Sequence, residues 1–205
     1  MNTQEVNQEL LSFLDHSPNA FFAVRNMREE LEKAGYTRLY EGAAWALSQG
    51  RGYYVTRNDS ALIAFHIPTE KARGFQIMAS HCDSPVFKIK TRAEIEIDQH
   101  YVKLNVEKYG GMLCAPWLDR PLSVAGRILV QTEDGIETKL VNVDRDLLII
   151  PNLAIHMNRQ VNDGYAFNAQ VDMLPLFCEK GEERNQFLQL IAEEAKVKAE
   201  DILDT

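Results

Sequence analysis

The sequence reads as an α/β segment over residues 1–90 followed by a β-rich segment over residues 91–205. Three patterns carry that reading. Apolar residues fall at helical spacing through the first forty positions, β-branched and aromatic runs set in from Tyr53, and past residue 90 nearly every apolar run is short and extended. Length agrees with the division, since 205 residues correspond to one large domain or two small ones.

In the first segment Val6, Leu10, Leu11, Phe13 and Leu14 share one helical face. Ser17-Pro18 ends that helix, with Ser17 placed to cap the next one and Pro18 at its first position. Phe21, Val24, Arg28 and Leu31 form the second stripe, and Gly35 suits the left-handed residue that closes a helix. Residues 53–57 and 61–67 predict a hairpin turning at Asn58-Asp59. Residues 75–80, FQIMAS, make a short apolar run that reads as a buried strand leading directly into His81.

After Pro85 the chain resumes an extended segment at Val86, Phe87 and Ile89. Further strands are expected at Ile95/Ile97, Val102/Leu104/Val106 and Leu140/Val141/Val143, with turns at Gly110-Gly111 and Asp134-Gly135. Residues 185–195 predict a helix with Phe187, Leu188 and Ile191 apolar, and residues 199–203 a last helical turn. That amphipathic stretch leads into what reads as a connection. The sequence is therefore expected to be a fragment of a longer chain.

Composition excludes several classes. Hydrophobic residues at 45% and charged residues at 25% are those of a globular chain rather than a disordered, collagen-like or disulfide-stapled one. Twenty-two basic and thirty acidic side chains give a net charge of −8 with no Lys/Arg cluster, so nucleic acid is not an expected partner. No apolar run approaches the roughly 18 residues that cross a bilayer, and MNTQEVNQELL lacks the basic and apolar regions of a secretory signal. No membrane partner is expected. Cys82, Cys114 and Cys178 form no CxxC pair, and reduced thiols predict a cytoplasmic location.

Three segments could carry chemistry. In Ser80-His81-Cys82-Asp83-Ser84-Pro85, strand alternation puts His81 and Asp83 on one face and Cys82 on the other. A metal-bound imidazole needs a carboxylate or carbonyl on its second nitrogen, which the Asp two residues on can supply. On spacing alone, HxD also fits a satisfied histidine beside a turn-forming Asp-Ser-Pro. In IPNLAIHMNR, residues 150–159, His156 beside Asn158 and Arg159 suits binding of a carboxylate or oxyanion, because Arg offers a planar fork of donors; an ordinary polar loop fits too. Asp119-Arg120 is expected to be a structural ion pair at the start of a strand. His16, His66 and His100 have no sequence partners, and GxSxG, P-loop, HExxH and GxGxxG patterns are absent.

Taken in order, ASHCDSPVFKIK, YGGMLCAPWLDRPLSVAGRI and IPNLAIHMNRQVNDGYAFNAQVDMLPLF resemble the aspartyl aminopeptidases, the eighteenth family of metallopeptidases. The resemblance implies the N-terminal part of a zinc-aminopeptidase α/β domain over residues 1–90 and a β-rich inserted dimerisation domain over residues 91–205. It implies a hydrolase with two zinc ions that removes N-terminal, acidic residues from peptides. His81 would ligate one zinc and Asp83 would orient it in the catalytic centre. His156 would be either a zinc ligand or, with Arg159, part of a substrate pocket completed across a dimer. Such dimers build a twelve-subunit particle. Members of the family are about twice this length, and their remaining ligands and glutamate base lie beyond residue 205. The chain alone is therefore expected to be inactive. A non-catalytic oligomerisation or regulatory module derived from such an enzyme is the alternative.

Overall fold

The computed structural model describes residues 2–181 and 185–205, which fall into two units, Met1–Ser84 and Pro85–Thr205. Helix α1 (Thr3–Asp15) starts from a reciprocal cap in which the Asn2 side chain accepts from the Glu5 N–H at 3.0 Å and the Glu5 carboxylate accepts from the Asn2 N–H at 2.8 Å. Helix α2 (Ala20–Lys33) is capped by Asn19, whose Oδ1 accepts from the N–H groups of Phe21 and Phe22. The expected cap, Ser17, is displaced from that role. Asn19 has the extended backbone that a cap requires, while the Ser17 hydroxyl accepts from Asn26 Nδ2 at 3.0 Å. The helix closes at Ala34, and Gly35 takes a left-handed φ of 83° as expected.

Strands β1 (Thr37–Arg38), β2 (Gly52–Arg57) and β3 (Ala61–His66) form the sheet of the first unit in the order β1-β2-β3. The β2–β3 turn uses Asn58 and Asp59, both at positive φ, which these side chains tolerate. Tyr53 and Tyr54 on β2 are buried, as are Phe22, Ala23 and Val24 on α2. The Tyr54 hydroxyl donates to the Glu32 carboxylate. The apolar stripe of α1 behaves differently, because Val6, Leu10, Leu11 and Leu14 all remain exposed.

Residues 75–80 do not form the expected strand. They have no regular structure, and Phe75, Ile77 and Met78 are 96%, 82% and 94% exposed. The physical reason is the lack of a pairing partner among the described residues: a buried strand exists only between neighbours that satisfy its backbone groups and cover its side chains.

The second unit holds two three-stranded sheets. Strands β4 (Val86–Ile97), β5 (Tyr101–Tyr109) and β8 (Leu176–Glu179) make one, in the order β4-β5-β8. Strands β6 (Ala125–Thr132), β7 (Gly135–Asn142) and β9 (Ile202–Asp204) make the other, in the order β7-β6-β9. Leu104, Val106, Ile128, Val130, Val141, Val143 and Leu148 pack with Phe187 and Ile191 of helix α3 (Gln186–Ala195) into one core. Asn185, left-handed at the start of α3, makes no side-chain cap; the Glu94 carboxylate from β4 accepts from the Phe187 N–H instead. Residues 199–203 are only partly helical. A 3-10 turn over Ala199–Asp201 hands the chain to β9, which pairs with β6.

Candidate functional site

The first candidate cluster lies in the irregular segment before Pro85. The His81 side chain is 82% exposed, and its Nδ1 lies 2.8 Å from the main-chain oxygen of Asp83 and 3.3 Å from Asp83 Oδ1. A carbonyl oxygen can only accept, so Nδ1 carries the proton, and in the neutral ring Nε2 holds the lone pair. This is the arrangement in which an imidazole donates to a metal through Nε2 while a neighbour fixes the tautomer. Asp83 therefore acts chiefly through its backbone, with its carboxylate close by. Cys82 turns away, donating to the Ser60 carbonyl at 3.3 Å and tying this segment to the β2–β3 turn.

The second cluster is the loop over residues 151–175. At its base, Ile149 and Leu176 exchange backbone hydrogen bonds, and Ile150 bridges to Leu118. Between these ends the chain rises into solvent, with His156 and Arg159 exposed beside Leu153, Ile155 and Met157. A turn in which Ala154 accepts from Met157 and Asn158 carries His156. On the return, the Asp172 carboxylate accepts from the Tyr165 hydroxyl and the Asn168 N–H, and Gln170 donates to the Val106 carbonyl. Lys90 donates to Gln170 Oε1 at 2.6 Å. A bulge permits this, since residues 90–93 of β4 lie opposite Asn105 alone. Both arms of the sequence expectation, His156 with Arg159 and His81 with Asp83, are thus solvent-accessible, each within its own unit.

The expected Asp119–Arg120 ion pair is not formed. The Asp119 carboxylate accepts from the Asn152 N–H at 2.8 Å, and Arg120 donates to the Pro116 carbonyl. Sequence reasoning also missed Lys90, Gln170 and Asp172, because their partners are distant in sequence or belong to a turn without a motif.

Among the described residues, no group of three or more His, Cys, Asp or Glu side chains stands close enough to hold a metal ion. A catalytic zinc ion takes three protein ligands and an open position. His81 fits one of those positions, and the residues present do not complete the set. An open groove of about 430 Å³ along α3, lined by Gln189, Ala192, Glu193 and Val197, carries none of the candidate residues. Among the described residues, no helix is long and apolar enough to cross a membrane.

Comparison with known proteins adds a consistent pattern. Residues 13–205 match the sequence signature of the aminopeptidase I zinc metalloproteases (M18). A probable M18 family aminopeptidase 2 of Clostridium novyi is 45% identical over 203 residues, covering 96% of this chain and 47% of that protein. Among solved structures, the cryo-EM structure of the Ape4 and Nbr1 complex gives a TM-score of 0.89 at 34% identity, over 96% of this chain and 42% of that one. The S. cerevisiae mApe1 dodecamer shares the fold, with a TM-score of 0.82 at 23% identity over 100% of this chain and 48% of that one. The chain spans about half the length of the relatives it matches.

Proposed function

The chain belongs to the aminopeptidase I zinc metalloprotease family (M18), and from that premise we propose that it is the N-terminal portion of a zinc-dependent aminopeptidase that removes acidic N-terminal residues from peptides. The observation that carries this reading is the His81 imidazole, 82% exposed, with Nδ1 committed to Asp83. When bound, zinc would supply a Lewis acid and a hydroxide at neutral pH. This chain's share of that chemistry is one imidazole nitrogen from His81, held in its tautomer by Asp83. Arg159 and His156 would receive the acidic group of the peptide, Arg through its fork of donors; His156 as a metal ligand is the variant of this reading. The other ligands and the general base would come from the half of the relatives' length that the chain does not span.

Exposed apolar surface supports the same division of labour. Phe75, Ile77 and Met78 sit immediately before His81 with nothing covering them among the described residues, as a strand would whose neighbours belong to the other half. The first unit would then be the opening of the catalytic α/β domain, and the second the inserted dimerisation domain. A relative is described as a dodecamer, and we place this chain in a homodimer that builds a twelve-subunit particle. Three free cysteines support a reducing compartment, the cytoplasm.

The test is hydrolysis of aspartyl and glutamyl peptides with added zinc, by the chain alone and with a polypeptide spanning the remaining half of the Clostridium novyi relative. Activity is expected only from the pair, and turnover by the 205-residue chain alone would overturn the reading. The incomplete donor set also favours a second reading, a non-catalytic oligomerisation module. That reading expects a stable assembly indifferent to a chelator and no activity from the pair.

A further inference from the structure

Asp119 stands apart from the other non-glycine residues of its unit that adopt positive φ. Asp98 and Gln99 make the β4–β5 turn, and Asn185 and Lys196 flank the ends of α3. Asp119, at φ 56°, lies in neither setting; it follows a 3-10 turn over Ala115–Trp117 and precedes the bridge from Leu122 to Leu148. A left-handed L-residue is disfavoured except for Asn, Asp and Gly, so a compensating gain is expected there. Two bonds provide it. The Asp119 N–H donates to the Ile150 carbonyl at 3.0 Å, and its Oδ1 accepts from the Asn152 N–H at 2.8 Å. Ile150 is fully buried, and Trp117 packs edge-on against Phe87 at 5.1 Å, so the anchor rests on the core.

Asn152 is where the chain leaves that core for the loop bearing His156 and Arg159. His156 follows four residues later, a lever of up to about 13 Å at roughly 3.3 Å per residue. A rotation of about 10° at residue 152 therefore moves the imidazole by up to about 2 Å. The far end of the loop has its own carboxylate anchor in Asp172. We propose that Asp119 is a positioning residue that fixes the exit of this loop and so holds His156 and Arg159 ready for ligand. The functional half of this statement rests on the substrate role given to those two residues above; the hold on the loop does not.

Three variants separate the causes. Asp119→Asn keeps an acceptor and tolerates the left-handed backbone, Asp119→Gly keeps the backbone and loses the acceptor, and Asp119→Ala loses both. Amide exchange at residues 152–159 and trypsin cleavage after Arg159 read the loop in the 205-residue chain without zinc or peptide. Asn is expected to match wild type, whereas Gly should exchange and cleave at least about threefold faster with an unchanged melting temperature. Ala should be faster still. A Gly variant as protected as wild type, or an Asn variant as loose as Ala, would overturn the anchor. In the enzyme completed by the second polypeptide, Gly should raise KM for an aspartyl peptide while kcat changes less, and Asn should rescue it. A loosened loop with unchanged KM supports the anchor and overturns the substrate role of His156 and Arg159.

Discussion

Replacing Phe75, Ile77 and Met78 together by serine removes three highly exposed apolar side chains while leaving His81 and every regular element in place. The three side chains are 96%, 82% and 94% exposed, so almost none of their transfer free energy is realised within the chain itself. Full burial of such a side chain stabilises by about 1.5–3 kcal/mol. A partner covering all three would gain about 4–8 kcal/mol from them, and one covering half their area about 2–4 kcal/mol. The lost freedom of association is common to wild type and variant and drops out of the difference. At 1.4 kcal/mol per decade, half burial corresponds to a roughly 30- to 700-fold weaker association constant for the triple variant. Sedimentation velocity over a dilution series measures this for self-association, and titration with the complementary polypeptide measures it for the completed fold. The wild-type chain is expected to be non-monomeric alone, and at concentrations low enough for both proteins to be monomeric the melting temperature should be nearly the same because the positions are exposed. A monomeric wild type that ignores the second polypeptide, or a variant that associates within threefold of wild type, would refute the reasoning.

Two other predictions concern single groups. Tyr54→Phe removes a buried hydroxyl that donates to Glu32, and should cost about 1–3 kcal/mol in chemical denaturation. Burial, and then the bond to Glu32, raise the Tyr54 pKa above its usual value near 10. Its contribution is therefore intact below about pH 10 and is lost as pH rises through the folded-state pKa; stability above pH 10 should fall more steeply in wild type than in Tyr54→Phe. His81→Ala, at an exposed side chain, should leave stability within about 0.5 kcal/mol of wild type and abolish zinc-dependent hydrolysis only in the completed enzyme. Likewise a chelator should not shift the melting temperature of the chain alone, since complete structural zinc sites contribute about 10–16 kcal/mol and one imidazole supplies a small part of that. A chelator-induced loss of several degrees would show that the donor set is larger than His81.

Legibility in the sequence followed the range of the interactions. Both opening helices, the hairpin at Asn58-Asp59 and the strands around Val102 and Leu140 were readable because spacing and turn residues determine them locally. Where two residues competed for one role, local rules chose wrongly: Ser17 and Asn19 are both good caps, and only the helix start separates them. Strand β9 was hidden because its pairing to β6 joins Ile202 to Val130, far apart in sequence. At the candidate site, His81 and Asp83 are two residues apart and were visible. Asp119 and Asn152 are separated by 33 residues, while local spacing offers Asp119 only its neighbour Arg120.

The failed strand at residues 75–80 is informative because the same rule succeeded elsewhere. In the second unit the apolar runs at Val102/Leu104/Val106 and Val141/Val143 are buried as their patterns demand. In the first unit the α1 stripe and residues 75–78 carry equally strong patterns and remain in water. An apolar pattern records the surface that a sequence buries in its functional state, so a mismatch between pattern and burial locates missing neighbours. It falls on the unit that bears His81, the imidazole proposed above as a zinc ligand, for which the described residues supply no cluster of co-ligands. The uncovered side chains of residues 75–78 lie next to His81 in the chain, so a polypeptide that paired with residues 75–80 would be brought beside the proposed ligand.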